Sequence, residues 1–427
     1  MAYPLFLAKL LIHTGIARLL PWVQRMTEGG GAFLRYYSDR LLCAPHAELR
    51  EMIALRQGLR DEGIDLATAI PSFDLVPSGS TKLPADRRDS PPVAGLPELR
   101  TAVADKLRFE NDLVVQPAGE VLITAGVAGG WHLALDSLVN AGDRVVLFDP
   151  GSPLYPFALR RRQARIRWVP TWMESGRLRF DAARLIESLR GARMMVVTSP
   201  ANPTGGVLSP EDGELIAWWA QRRDVLLFHD AVFERFCYDA DRVNLGSLVR
   251  AQDRTLTAGS LSKGYGLGSA RVGWLAGHRH LLRPCILSAA LEWAGVPTLC
   301  QQIAVVALAQ GEETFAPIRA DFASRRSYAF ERVRGMGLKP DWPAGGHFLW
   351  VPIKDLGLDG AQFAAQLAQS KQVQVWPGHH FGPSGVGHVR ISYAAEDGRL
   401  RQGLARMDDF VRQLQATGRP LVKRWAA

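Results

Sequence analysis

The chain has 427 residues, 47% of them hydrophobic and 22% charged, and its 51 Lys+Arg against 42 Asp+Glu give a formal charge of +9. That composition excludes a peptide, a disordered chain or a fibrous repeat, and at about 100–200 residues per domain it implies two or three domains. The positive balance raises a nucleic-acid reading, but the charge is spread along the whole chain without a basic tail or zinc-finger spacing, so no nucleic-acid partner is expected.

In chain order, the first feature is the apolar stretch MAYPLFLAKLLIHTGIARLLPWVQRM. Lys9, His13 and Arg18 interrupt it short of the roughly 18 apolar residues a spanning helix needs. It has no basic leader region and no A-x-A-like cleavage site, so it reads as a helix packed on the body or on a partner subunit, with a membrane-surface helix as the alternative. Cys43, Cys237, Cys285 and Cys300 lie far apart without a CxxC pair, which argues for a reducing, cytoplasmic setting and against disulfides or zinc.

From about Leu96 helix-like runs alternate with short apolar, β-branched runs, the signature of crossover units on a mostly parallel sheet. The spacing predicts helices over Gly95–Asn111, Gly129–Val139, Ala182–Arg190 and Pro210–Arg222. Strands are predicted at Glu120–Thr124, Arg144–Phe148, Arg165–Val169, Met194–Thr198, Val225–His229 and Thr255–Ala258. Such a sheet takes its ligands at the carboxyl ends of its strands. The basic run Arg160, Arg161, Arg162, Arg165 and Arg167 reads as a solvated helix end and strand start, with a phosphate or acidic partner as the alternative.

After Pro297 come two long helical stretches, Thr298–Gln310 and Glu312–Arg334, and then strands near His347–Val351, Gln374–Pro377 and His388–Tyr393. The fold class is therefore α/β: a large domain with a mostly parallel sheet flanked by helices, plus a smaller α+β domain. The division expected is 1–72 for an N-terminal arm and part of the small domain, 73–312 for the large domain, and 313–427 for the rest of the small domain. Long helices bridging the two lobes would let the small one move over a cleft.

The strongest local signal is SLSKGYGLGSARVG, Ser260 to Gly273, directly after an apolar strand. A partly desolvated lysine there, Lys263, loses its proton readily and can form a Schiff base. Arg271 is a fixed cation for a phosphate, with Ser260 and Ser262 as hydroxyl donors. The Gly264, Gly266 and Gly268 spacing brushes against a dinucleotide fingerprint, but the interleaved Lys, Tyr and Arg suit that role poorly. Three more segments fall at strand ends. SPANPTGG presents Asn202 in a rigid turn; VLLFHDAVF places Asp230 where a buried carboxylate needs a cationic partner; and ITAGVAGG offers the backbone amides of Gly126, Val127 and Ala128 at a helix start, a ready anion site.

With these motifs in this order, the chain from about Ile70 to Tyr393 resembles the fold-type I pyridoxal-phosphate enzymes, specifically the class I/II aminotransferases. The resemblance implies pyridoxal 5'-phosphate as cofactor and Lys263 as the catalytic lysine that forms the internal aldimine and then shuttles the Cα proton. It further implies that Asp230 pairs with the pyridinium nitrogen, that Asn202 bonds the ring hydroxyl oxygen, and that Gly126, Val127, Ala128, Ser260, Ser262 and Arg271 hold the phosphate. Arg390, in GHVRISYA, is similar to the arginine that grips the substrate α-carboxylate, and PGHHFG and PAGGHFLW resemble the motifs preceding it. A homodimer, with an amino acid and a 2-oxo acid as small-molecule partners, follows from the same likeness.

The departures from the pattern are specific. Phe233 stands where the family has a tyrosine that contacts the ring oxygen. Ser152 stands where an aromatic normally stacks on the ring, with Tyr155 close by as a cofactor neighbour. Ser90 replaces an intersubunit tyrosine and Ala69, counted with the substrate pocket, replaces a glycine. Loss of the ring-oxygen donor raises the proton affinity of the Schiff base. Transamination is thus the first expectation; a lyase, or a γ-elimination and carbon–carbon bond-forming enzyme acting on sulfonium amino acids, is the alternative, and a DNA-binding regulator built on this fold a remote one. His132, His347, His379 and His380 have no convergent carboxylate or cysteine, so no metal is expected; they read as rim or core residues, with His347 or His379 near substrate as the other option. Trp218 and Trp219 read as filling on a covering helix.

Overall fold

A computed structural model describes residues 63–73, 75–76 and 90–417. The apolar N-terminal stretch and Cys43 lie outside them. In chain order the elements are strand β1 (Ile64–Asp65), helix α1 (Pro97–Asn111), β2 (Val121–Thr124), α2 (Gly126–Leu138), β3 (Arg144–Asp149), α3 (Leu154–Arg161), β4 (Arg165–Glu174) and β5 (Arg177–Phe180). Then come α4 (Ala182–Ser188), β6 (Met194–Thr198), α5 (Pro210–Arg223), β7 (Leu226–Asp230), β8 (Thr255–Ser260), β9 (Gly273–Ala276), α6 (Arg279–Glu292), α7 (Thr298–Leu308) and α8 (Glu312–Gly335). The chain ends with β10 (Phe348–Pro352), α9 (Gly360–Lys371), β11 (Val373–Gln374), β12 (Trp376–Pro377), β13 (His388–Ser392) and α10 (Asp397–Thr417).

Eight strands form the large sheet in the order β2-β9-β8-β7-β6-β3-β4-β5. The pairs β8/β7, β7/β6, β6/β3 and β3/β4 are parallel, while β9 runs against both neighbours and β5 against β4. The central strands are continuous apolar runs because both faces are covered. Alternate residues divide between two cores. Val145, Leu147, Met194 and Val196 pack under α2 and α6 with Trp131 and Leu282, whereas Val146, Met195 and Val197 pack under α4 and α5 with Leu185, Ile216 and Ala217. This is the helix–sheet–helix layering that the alternating pattern predicts.

The six predicted strands all form, and β5 and β9 add two more. β9 reads GWLA, too short and glycine-led to register as a period-2 run, and β5 reads RLRF, charged at alternate positions. Both are antiparallel additions whose pairing, not their own propensity, defines them. Helix α2 begins at Gly126, three residues before its predicted start at Gly129. Helices α3 and α6 carry Pro156 and Pro284 and were not apparent from pattern alone. Helix α5 follows its local chemistry closely: Ser209 caps it by accepting from the Asp212 amide at 3.1 Å, and Pro210 opens it.

A second sheet, β10-β13-β12, is antiparallel, and β1 pairs in parallel with β11 beside it. Ile64–Leu66 thus pair with the C-terminal part of the chain. Helix α8 sends Phe315, Phe322, Ala329 and Val333 into this core, while α7 packs Ala304 and Ala307 with α1 against β2 and β9. The two helices expected to bridge the lobes divide between them, with Ile318 touching both cores.

Candidate active site

In the large sheet the carboxyl ends of β2, β3, β6, β7 and β8 lie on one edge, which the start of antiparallel β9 also reaches. That topology collects Gly126, Ser152, Asn202, Asp230, Lys263 and Arg271 from segments far apart in sequence. A cavity of about 730 Å³ opens there, walled by Thr68, Ala69 and Ile70 on one side, Ser152, Leu154, Phe157 and Arg161 on another, and Trp376, Phe381 and Arg390 from the small sheet. Asn202, Phe233 and Lys263 also face it.

Lys263 follows β8 in a turn, and its Nζ donates to the Ala69 carbonyl. Across the cavity Arg390, on β13 and only 4% exposed, donates from Nη1 to Asn202 Oδ1 at 2.8 Å and from Nη2 to the Ala67 carbonyl. The rings of Phe348, Phe381 and Trp376 surround its guanidinium at 4.3, 5.0 and 5.1 Å. Aromatic faces and two acceptors fix the cation in place while keeping water from it.

Asp230 ends β7, and its carboxylate accepts from the Tyr155 hydroxyl and from the Val232 amide at 3.1 Å. Burial pushes its carboxyl up to about 6, although the Tyr155 and Val232 hydrogen bonds and the Lys263 charge work the other way. Tyr155 is itself fully enclosed, with its ring against Trp131 and Phe228, and burial together with Asp230 holds its phenol well above the ordinary range. Its hydroxyl joins it to Asp230; Ser152 lines the 730 Å³ cavity, and Tyr155 and Ser152 both border a smaller pocket with Asn202.

At the other end of this edge α2 begins with its first amides free of intrahelical partners. Gly126 has φ +70°, and a Cβ there would stand 2.7 Å from Arg271 Nη2, so only glycine lets the guanidinium approach the helix start. Arg271 Nη1 and Nη2 donate to the Gly268 and Ala125 carbonyls at 3.1 and 3.4 Å. Gly273 backs Gly126 and pairs with Ser260, whose Oγ accepts the Ser262 amide at 3.3 Å. Val127 is the next residue in this first turn and is buried, with Ala128 following it.

His347 is completely buried, with its ring against Phe233 at 5.1 Å and Phe348 at 4.8 Å. Burial, then the charges of Lys263 and Arg390, push its proton affinity well below the ordinary value, so it is a neutral imidazole behind the Phe233 wall, not on the cavity. Ser90 is exposed. Among the described residues no group of three His, Cys, Asp or Glu could hold a metal, and Trp218 is 40% exposed, an outer residue where a filling role was expected.

Two contacts tie the small sheet's loop to the large sheet. Asp149, at the end of β3, accepts from the Ser384 hydroxyl at 2.8 Å and its amide at 3.1 Å, and the Gly151 amide donates to the Phe381 carbonyl at 2.7 Å. Gly382, at φ +127°, makes room: a Cβ there would lie 2.4 Å from Asp149 Oδ1.

Residues 61–407 match the family model described as aminotransferase class I and II. The chain belongs to this family. It is 29% identical to an aspartate aminotransferase of Pyrococcus abyssi over 89% of this chain and 99% of that protein, and 30% identical to the arginine–pyruvate transaminase of Pseudomonas aeruginosa over 84% and 92%. The fold superposes on the crystal structure of an aromatic aminotransferase from Pyrococcus horikoshii with TM-score 0.76 at 27% identity, covering 85% of this chain and 99% of that one. The chain is therefore a pyridoxal-phosphate-type transferase of fold type I, an aminotransferase, and the elimination, bond-forming and DNA-binding alternatives are not favoured.

The chain's own residues fit that cofactor class. Asp230 is a buried carboxylate without a cationic side chain bonded to it, which suits a protonated ring nitrogen. The Gly126–Arg271 approach concentrates positive potential at a helix start, which suits a phosphate. Phe233 lines the cavity with no hydroxyl to offer, and Asn202 is a neutral polar side chain facing the same space. Sequence reasoning missed Trp376, Phe381 and Arg161 as cavity walls. The first two lie beside motifs that were recognised, and Arg161 lies in a basic run that was noted for its charge alone.

Proposed function

We propose that this aminotransferase binds pyridoxal 5'-phosphate on the edge described above and transfers the amino group of an α-amino acid to a 2-oxo acid. The observation carrying this reading is the convergence of Lys263, Asn202 and Arg390 on one cavity beside Asp230 and the Gly126–Arg271 anion cradle. When bound, the cofactor supplies an electron sink for the negative charge that develops at the substrate Cα. Asp230 holds a proton on the ring nitrogen by its negative charge, and Tyr155 holds Asp230 in place. Asn202 faces the ring oxygen and steadies Arg390, which binds the substrate α-carboxylate as a two-pronged donor. The Gly126, Val127 and Ala128 backbone, with Ser260, Ser262 and Arg271, holds the phosphate. Lys263 Nζ would move the Cα proton; Ala69 lies beside it through its carbonyl, and His347 supports the Phe233 wall from behind.

The names of the relatives include aspartate, aromatic and arginine–pyruvate aminotransferases. What those substrates share is the α-amino and α-carboxylate pair that Lys263 and Arg390 address. A homodimer and a cytoplasmic setting rest on the family likeness. Among the described residues no helix is long and apolar enough to cross a membrane. The division at 72/73 and 312/313 belongs to the same reading, supported by the pairing of β1 with β11.

Purified protein loaded with pyridoxal 5'-phosphate is expected to show a visible absorption band that borohydride traps on Lys263, and stoichiometric oxo acid on adding a substrate amino acid. Retention of the same trapped adduct in Lys263→Ala, or release of a leaving group without oxo acid, overturns the reading.

A further inference from the structure

The basic run Arg160, Arg161, Arg162, Arg165 and Arg167 has no role in the reaction as described. The structure disperses it. Arg162 pairs with Asp136, which also accepts from Ser288 at 2.9 Å. Arg167 Nη1 donates to the Ser188 and Arg190 carbonyls at 3.0 and 2.8 Å. Arg161 alone of the five lines the 730 Å³ cavity.

It does so because Leu154, Phe157, Ala158 and Arg161 recur at helical spacing and share one face of α3, the face that walls the cavity. At about 1.5 Å per residue the helix places Arg161 roughly 10 Å along its axis from Leu154, which adjoins Ser152. Between them the wall is apolar. Where the family carries an aromatic over the ring, Ser152 leaves the approach to this wall open.

The charges on the cavity wall are unbalanced. Among the described residues Lys263, Arg390 and Arg161 are the cations of the wall and Asp65 its one acid. Asp65 Oδ1 already accepts the Ala67 and Thr68 amides at 2.8 and 2.9 Å and its Oδ2 accepts the Thr68 hydroxyl at 2.6 Å, so it is committed to its own turn. Among the described residues none makes an ion pair or hydrogen bond with the Arg161 side chain. His132, also on the wall, has its proton affinity lowered chiefly by burial and then by Arg162 and Arg161, so it adds no charge of its own.

We propose that Arg161 receives a second carboxylate, making the substrate a dicarboxylic amino acid whose methylene chain lies along Leu154 and Phe157 while Arg390 holds its α-carboxylate. This rests on the assignment of Arg390 above. An arginine at the mouth of a cleft both attracts such a side chain and repels a basic one, so it sets preference more than rate.

L-2-Aminoadipate and L-norleucine have the same six-carbon chain and differ in the distal carboxylate, so their comparison reads Arg161. In the loaded enzyme kcat/KM is expected to favour aminoadipate by about tenfold, the difference residing in KM, and the ratio is expected to fall to about one in Arg161→Gln. Arg161→Glu is expected to invert the ratio and admit L-lysine. Calorimetric binding of adipate against hexanoate to the loaded enzyme gives the same comparison without turnover. Equal use of the two amino acids by the wild type, or a preference that survives Arg161→Gln, overturns the proposal. A missing visible band and no borohydride adduct on Lys263 would instead sink the cofactor assignment, and calorimetry of adipate against hexanoate on the cofactor-free protein and its Arg161→Gln variant reads Arg161 in that case.

Discussion

Asn202 Oδ1 accepts a hydrogen bond from Arg390 Nη1 at 2.8 Å, joining the loop after β6 to a strand of the small sheet 188 residues away. One neutral amide therefore orients the cation proposed to bind substrate and is itself proposed to face the cofactor ring. A hydrogen bond to a charged group contributes about 1.5–3 kcal/mol. Asn202→Ala is expected to raise KM for the amino acid by about tenfold or more, with a smaller change in kcat. Steady-state kinetics of the loaded variant check this, and an unchanged KM would show that Arg390 is held without Asn202.

Asp230 carries a pH signature. Its carboxyl stands at about 6 in the folded chain against an ordinary value of 3.8. A folded value raised above the unfolded one means that the native state holds the extra proton, so the contribution to stability is present below about pH 4 and is lost as pH rises through 6. The cofactor-free protein at pH 8 then carries a cost of about 3 kcal/mol for the buried charge. Asp230→Asn is expected to raise the thermal midpoint of the cofactor-free protein at pH 8 and to change it little at pH 4, while lowering activity severely. Thermal melts at the two pH values, with and without pyridoxal 5'-phosphate, check the sign.

A second buried charge lies under the same segment. Lys106 Nζ pairs with Glu234, four residues after Asp230, and also donates to Asn111 Oδ1 at 2.7 Å. Burial works against ionisation of Glu234, yet Lys106 and Arg242 hold its carboxyl below the ordinary value. Removing one partner of such a pair costs about 3–5 kcal/mol, because the other charge stays buried. Lys106→Met is expected to destabilise the protein by that order, with part of the loss recovered in the double variant Lys106→Met/Glu234→Leu. Chemical denaturation of the three proteins measures it. The paired carboxylate also predicts that stability falls on acidification through the depressed folded value of Glu234.

Asp149 and Ser384 join the two sheets next to Phe381, which stacks on Arg390. Asp149→Ala leaves the Ser384 amide and hydroxyl without their acceptor. The expected result is a rise in KM of severalfold at nearly constant visible absorbance of the bound cofactor, because the Phe381 loop and not the ring site loosens. Ser384→Ala, which keeps the amide donor, is expected to show a smaller rise. Equal KM values in all three proteins would show that the contact does not position Arg390.

Much of this molecule was legible in the amino-acid order because its signals are local. Apolar runs such as MMVVT form buried strands wherever both faces are covered, Ser209–Pro210 starts a helix by its own hydrogen bonding, and SLSKGYGLGSAR, NPTG and DAVF mark strand ends where backbone and side-chain chemistry is concentrated. Position within a motif and distance along the chain singled out Lys263, Asn202 and Arg390, which the structure brings to one cavity, and Asp230 at the end of β7.

Other features depend on which segments meet, and no local pattern encodes that. β9 is a strand because it fits between β2 and β8. Tyr155 turns to Asp230 because α3 packs its ring among Trp131 and Phe228, and Ser152 lines the larger cavity. Arg161 lines the cavity because it falls on the face of α3 that Leu154 and Phe157 share, whereas Arg165 and Arg167 belong to β4. Composition supplied 51 basic residues and a charge of +9; chain folding alone picks out which of them border the cavity, because charge acts over a few ångströms in space and not along the sequence.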